Sequence, residues 1–218
     1  EDSLRGRQMA ANNDPDFAHI GPGTLAGRFM SRFWHPICKS GDLKIGRPMR
    51  VQILDEYFTL YRGESGQAFV LADSCPHRQT ALFLGWVVGD RIKCFYHGWE
   101  FDGAGQCVRQ PAEKENFAAK VCFPSYPVRE YLGLIFAFFG EGEPPEFPLY
   151  PELEEDNGLP LLNSRWELPH NYFQRMENDL DEAHVNFVHK TSADLSLELS
   201  VLPEFDAEET GYGILRIG

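Results

Sequence analysis

Hydrophobic and polar positions alternate in three regimes along the chain. After a polar, unpatterned opening through residue 20, Gly21-Pro22-Gly23-Thr24 supplies a turn and a helix N-cap, and Leu25, Phe29 and Phe33 recur at four-residue spacing. That spacing predicts a short amphipathic helix ending near Trp34-His35-Pro36. From 37 to 139 the pattern shortens to that of strands. Residues 57–61 and 67–72 flank Gly63-Glu64-Ser65-Gly66, a hairpin signature. Residues 91–96 predict a further strand, and 99–101 with 106–108 a second hairpin around Asp102-Gly103-Ala104-Gly105. Residues 121–128 and 131–139 complete an all-β unit. The stretch 140–160 holds five prolines and reads as a connection. Beyond it, 165–173 is strand-like, 174–188 helical, and 197–205 and 212–217 strand-like again.

Composition narrows the function. Hydrophobic residues make up 43% and charged residues 24% of the 218, the mixture of a globular protein that buries a core. Seventeen Phe favour a β-rich interior. The net charge of −13 resides in two acidic stretches without Lys or Arg, 141–160 and 194–209. Neither neutralises phosphates and no basic stripe exists, so nucleic acid is not expected as a ligand. The longest nearly apolar run, 132–139, is too short to cross a bilayer, so no membrane partner is expected either. Five cysteines, an odd number without disulfide-scaffold density, together with a charged opening, give the expectation of a reducing, cytoplasmic setting.

Two of those cysteines carry chemistry. Cys75-Pro76-His77 is followed, after sixteen residues, by Cys94-Phe95-Tyr96-His97. Two soft thiolates and two imidazoles in loops beside strands suit a metal centre. With Gly98-Trp99-Glu100-Phe101-Asp102 behind it, C-x-H…C-x-x-H resembles the Rieske iron–sulfur motif. The resemblance implies a [2Fe–2S] cluster with Cys75 and Cys94 on one iron and His77 and His97 on the other. A Cys₂His₂ zinc site would draw on the same ligands. Cys38, Cys107 and Cys122 have no comparable partners and read as packing residues.

A second constellation follows in Asn178, Asp181, His184 and His189. On an α-helix the first three lie along one stripe, whereas His189 falls about 140° around from His184. Both imidazoles reach one metal only if the helix widens, bends or ends between them. Asp181-Glu182-Ala183-His184 also spells a helicase box, but no phosphate-binding loop accompanies it.

Downstream of a Rieske motif, this order resembles the large (α) subunit of Rieske non-haem iron oxygenases. Gly21-Pro22-Gly23-Thr24 with Phe33-Trp34-His35-Pro36 is most similar to the branch of phthalate dioxygenase and aryl O-demethylases. The resemblance implies an α+β chain: an arm over 1–24, an all-β Rieske domain over 25–145, and over 146–218 the start of a helix-grip catalytic domain. It implies that His184 and His189 bind a mononuclear Fe(II) as part of a 2-His-1-carboxylate triad. Asp181 matches the aspartate that links this iron to a Rieske histidine of a neighbouring subunit, and Asn178 an asparagine near the iron. The family's third ligand lies far downstream. Here Asp194, Glu198, Glu204, Asp206, Glu208 and Glu209 are the carboxylates that follow, none in matching context, so a piece of a longer chain is expected.

The activity so implied is oxygenation with O₂. Electrons come from NADH through a reductase or ferredoxin, and an aromatic or related small molecule is hydroxylated, dihydroxylated or O- or N-demethylated by a homotrimer. Two other readings stand beside it: an electron-carrying Rieske protein without oxygenase activity, and a zinc-stabilised β interaction module.

Overall fold

A computed structural model describes residues 16–154, 170–181, 183–189, 204, 206–211 and 213–217. The chain divides into two compact units, 1–164 and 165–218.

In the first unit, helix α1 (Leu25–Met30) starts where expected: Thr24 Oγ1 accepts the Gly27 N–H at 3.0 Å. It ends earlier than expected, at Met30, because residues 34–39 form a strand instead. The strands are β1 (Trp34–Lys39), β2 (Met49–Ile53), β3 (Glu56–Arg62), β4 (Ala68–Ala72), β5 (Trp86–Val88), β6 (Arg91–Lys93), β7 (Glu100–Phe101), β8 (Cys107–Arg109), β9 (Ser125–Tyr126), β10 (Val128–Tyr131) and β11 (Leu134–Phe138). They form three antiparallel sheets, in the orders β1-β11-β10, β2-β3-β4-β9 and β5-β6-β7-β8. Pro36 is tolerated in β1 because that strand is an edge and its register shifts between Pro36 and Cys38.

Both expected hairpins form. β3 pairs β4 from Phe58 opposite Ala72 to Arg62 opposite Ala68. β7 pairs β8 through the 102–105 turn, where Gly105 has φ +79° and a β-carbon would stand 2.0 Å from the Phe123 carbonyl oxygen. Only glycine fits there.

Period-two alternation explains why β3 is buried throughout its centre. Phe58 and Leu60 enter one core with Leu43, Val70 and Ile135, whereas Tyr61 enters another with Leu71, Leu82, Ile92, Trp99 and Phe101. A strand covered on both faces reads as a continuous apolar run. The second core also contains Cys75, Cys94 and Cys107, so each buried aromatic in it contributes to the stability (about 1.5–3 kcal/mol) of the core in which both motif cysteines sit.

The second unit contains helices α2 (Tyr172–Leu180) and α3 (Ala183–Val188) and a hairpin of β12 (Asp206–Thr210) with β13 (Gly213–Ile217). The continuous helix expected over 174–188 is interrupted: Asp181 leaves helical geometry at φ −90°, ψ 96°. Tyr172 and Phe173 open α2, so the strand expected to reach 173 does not; its residues 165–169, and 197–203, lie outside the described residues. No helix among the described residues is long and apolar enough to cross a membrane.

Candidate metal centres

The strand expected over 91–96 stops at Lys93 because Cys94 opens a loop, and that loop has a twin. In each, the cysteine N–H donates to the carbonyl five residues on: Cys75 to Thr80 and Cys94 to Trp99, both at 2.8 Å. In each, the cysteine carbonyl accepts the N–H four residues on, from Gln79 at 2.8 Å and from Gly98 at 3.0 Å. In each, that fourth residue takes a left-handed φ, +57° at Gln79 and +72° at Gly98. The C-x-H and C-x-x-H spacings thus occupy one backbone frame.

The frame brings all four side chains together. Cys75 and Cys94 are 1% and 2% exposed, and their sulfurs share a hydrogen bond. That bond, with the N–H groups of Tyr96 and His97, lowers the Cys94 thiol to about 6. The same contact, with burial, pushes Cys75 up. The His77 and His97 rings lie 4.6 Å apart at 63°.

Aromatic rings fix both imidazoles. The Trp99 indole stacks on His77 at 4.5 Å and 1°, Phe117 meets Trp99 edge-on at 5.6 Å, and Tyr96 covers His97 at 4.0 Å. Glu113 Oε1 stands 3.8 Å from His77 Nε2.

The residues fit a two-iron cluster. Trp99 Nε1 is a buried N–H without a protein acceptor in the same core as the two buried sulfurs, as expected where a sulfide-bearing group completes the site.

The first loop is also anchored from outside. Asp73, 3% exposed, accepts a hydrogen bond from Thr59 Oγ1 at 2.7 Å, and its other oxygen faces Arg50 Nη2 at 2.6 Å. The Arg50 guanidinium lies 3.9 Å from the Tyr57 ring centre and 5.3 Å from that of Phe83. Sequence patterning flagged none of Asp73, Arg50, Gln79, Trp99 or Glu113 as a site residue, although Asp73, Gln79 and Trp99 each sit two positions from a motif residue.

In the second unit the predicted stripe of Asn178, Asp181 and His184 is divided, with Asn178 on α2 and His184 on α3. Asp181 lies between them, its Oδ1 accepting the His184 N–H at 3.2 Å. The His184 Nδ1–H donates to the Asp181 carbonyl, which leaves Nε2 free as a metal donor. Helix α3 ends at Val188, so His189 sits just past it, with its N–H still bonded to the Val185 carbonyl at 3.1 Å. An ending between the two histidines is one of the three ways by which both could reach one metal, and their rings are 5.6 Å apart. No carboxylate joins them as a third ligand among the described residues. Glu204, Asp206, Glu208 and Glu209 are exposed; Asp194 and Glu198 lie outside the described residues.

Residues 33–131 match the Rieske [2Fe-2S] domain family. The chain is 31% identical over 227 aligned residues to phenoxybenzoate dioxygenase subunit alpha of Ectopseudomonas oleovorans, covering 96% of this chain and 55% of that protein. It is 33% identical to the 5,5'-dehydrodivanillate O-demethylase oxygenase subunit of Sphingobium sp., covering 83% of this chain and 44% of that one. Among solved structures, the terminal oxygenase of carbazole 1,9a-dioxygenase from Nocardioides aromaticivorans matches with a TM-score of 0.63 at 27% identity, over 76% of this chain and 46% of that one. The chain spans about half the length of the curated relatives it matches.

Proposed function

Because this chain belongs to the Rieske non-haem iron oxygenase family, we propose that it serves in a terminal oxygenase component. That component uses O₂, and electrons passed from NADH by a reductase or ferredoxin, to hydroxylate, dihydroxylate or O- or N-demethylate an aromatic or related small molecule. The observation that carries the proposal is the pair of Cys-His loops in one backbone frame, with two buried sulfurs and two imidazoles at its centre.

Cys75 and Cys94 hold one iron of the cluster in this reading, and His77 and His97 the other. His184 and His189 hold a mononuclear Fe(II). The cluster supplies electrons one at a time and the mononuclear iron supplies O₂ activation.

The chain's own residues prepare these centres. The Cys75 thiol and the Tyr96 and His97 N–H groups surround the Cys94 sulfur and favour its charged form, the form a metal would take. Trp99 and Tyr96 hold the two imidazoles in place while the surrounding core keeps water from the sulfurs. Asp181 starts α3 and fixes the ring orientation of His184. In an assembled oligomer the same aspartate would link the mononuclear iron held by His184 and His189 to a Rieske histidine of a neighbouring subunit, and Asn178 would lie near that iron. The reading carries with it an arm over 1–24, a Rieske domain over 25–145, catalytic-domain residues over 146–218, a homotrimer and a cytoplasmic setting.

Iron, acid-labile sulfide and zinc per chain test it. About three irons and two sulfides support both centres, and about two irons and two sulfides support the cluster alone. Zinc without sulfide overturns the assignment.

A further inference from the structure

We propose that Glu113 is a positioning residue for the cluster: a carboxylate built into the 110–117 loop to face Nε2 of His77 and lower the cluster's reduction potential. The inference rests on the assignment of His77 as a cluster ligand.

The loop is tied down at several points. Gln110, 7% exposed, accepts the Phe117 N–H on its side-chain oxygen at 3.1 Å, and its own carbonyl accepts the Glu113 N–H at 3.2 Å. Pro111 packs on the second cysteine loop, its Cγ 3.0 Å from where a β-carbon on Gly98 would stand. Phe117 meets Trp99, and Trp99 lies flat on His77. The loop that carries Glu113 is therefore fixed against the same rings that fix its target.

Within this loop Glu113 differs from its neighbours. Lys114 and Glu115 are exposed, whereas the Glu113 side chain is 27% exposed and its Oε1 is 3.8 Å from His77 Nε2. Among the described residues it is the one carboxylate within ion-pair distance of either His77 or His97. At 3.8 Å the contact acts through charge rather than as a formed hydrogen bond. Reduction would add an electron to the cluster that His77 would help to hold, and a negative charge beside that imidazole would oppose it. That charge favours the oxidised cluster.

The test is a redox titration of the cluster-bearing chain at neutral pH, in the wild type and in Glu113→Gln, Glu113→Asp and Glu115→Gln. Glu113→Gln is expected to raise the equilibrium constant for reduction roughly threefold to tenfold, tenfold being ~59 mV for a one-electron couple. Glu113→Asp, which keeps the charge but draws it back, moves part of that way, and Glu115→Gln moves less than either. An unchanged potential in Glu113→Gln, or an equal shift in Glu115→Gln, overturns the contact. If Glu113→Gln does not retain the cluster, an unchanged potential in Glu113→Asp does so instead. A wild-type chain without the Rieske absorbance fails the parent assignment, a result distinct from a cluster whose potential ignores Glu113.

Discussion

Gln79 and Gly98 occupy the same place in the two cysteine loops, each donating its N–H to the carbonyl of the cysteine four residues before it from a left-handed backbone. They are not equally replaceable. Gln79 already bears the cost of a side chain at positive φ, about 1–2 kcal/mol. A β-carbon on Gly98 would add a contact of 3.0 Å with Pro111 Cγ and one of 3.4 Å with Lys93 Cε. Gln79→Gly is expected to leave stability within about 1 kcal/mol of wild type or raise it, and Gly98→Ala to lower it by about 2 kcal/mol or more. Urea unfolding of both variants checks the asymmetry; equal losses would contradict it.

Arg50 is the counter-charge of the buried Asp73, and Asp73 stands at the entrance to the first loop, its carbonyl accepting the Leu82 N–H at 2.6 Å. Removing Arg50 leaves a carboxylate that is 3% exposed with only the Thr59 hydroxyl. Because the Arg50 side chain is itself 39% exposed, the expected loss for Arg50→Gln is at the modest end for an orphaned buried group, about 1–3 kcal/mol. Arg50→Gln combined with Asp73→Asn is expected to lose less than the two single losses added together. A strictly additive double-mutant cycle would show that the pair does not couple.

The legible part of this molecule is the part written in local spacing. Two Cys-His pairs, two hairpin turns and the Thr24 cap are runs of a few residues whose chemistry is specific. What was not legible depends on residues that meet only after folding. Nothing near Glu113 in the sequence points to His77, and a glutamine carries no sign of the positive φ that Gln79 adopts. Asp181 is compatible with a helical pattern, so the break it makes was hidden until its carboxylate was seen taking up the His184 N–H. Short strands such as β5, partly exposed and only three residues long, leave no periodicity to read.

Glu130 supplies a pH dependence. Its hydrogen bonds with the Arg62 guanidinium, at 3.0 and 3.4 Å, hold its carboxyl below the ordinary 4.5. Arg62 in turn binds the carbonyls of Ser40, Leu43 and Gly66, so this pair ties β10 to the end of β3 and the turn that follows it. A group with a lowered folded pKa stabilises above its unfolded value and loses that contribution as pH falls through its folded value. With Glu130 44% exposed, the contribution is about 0.5–1 kcal/mol. Glu130→Gln is expected to be less stable by that amount at neutral pH and indistinguishable from wild type once pH is below the carboxylate range. A gap that persists in acid would assign the loss to packing instead.

Asp181 combines two roles that substitution can separate. Its Oδ1 caps α3 through the His184 N–H, and its charge is proposed to link two metal centres in neighbouring subunits. Asp181→Asn keeps an oxygen at the cap and removes the charge; Asp181→Ala removes both and costs a further ~1 kcal/mol of local stability. If the charge is what matters for electron transfer, both variants retain cluster absorbance and bind iron, yet reduced cluster persists in the presence of O₂ and substrate while product formation falls. Were the cap the important part, Asp181→Asn would turn over normally and only Asp181→Ala would fail. Single-turnover measurements of cluster reoxidation and product in the same sample distinguish these outcomes, and normal coupling in Asp181→Asn ends the bridging assignment.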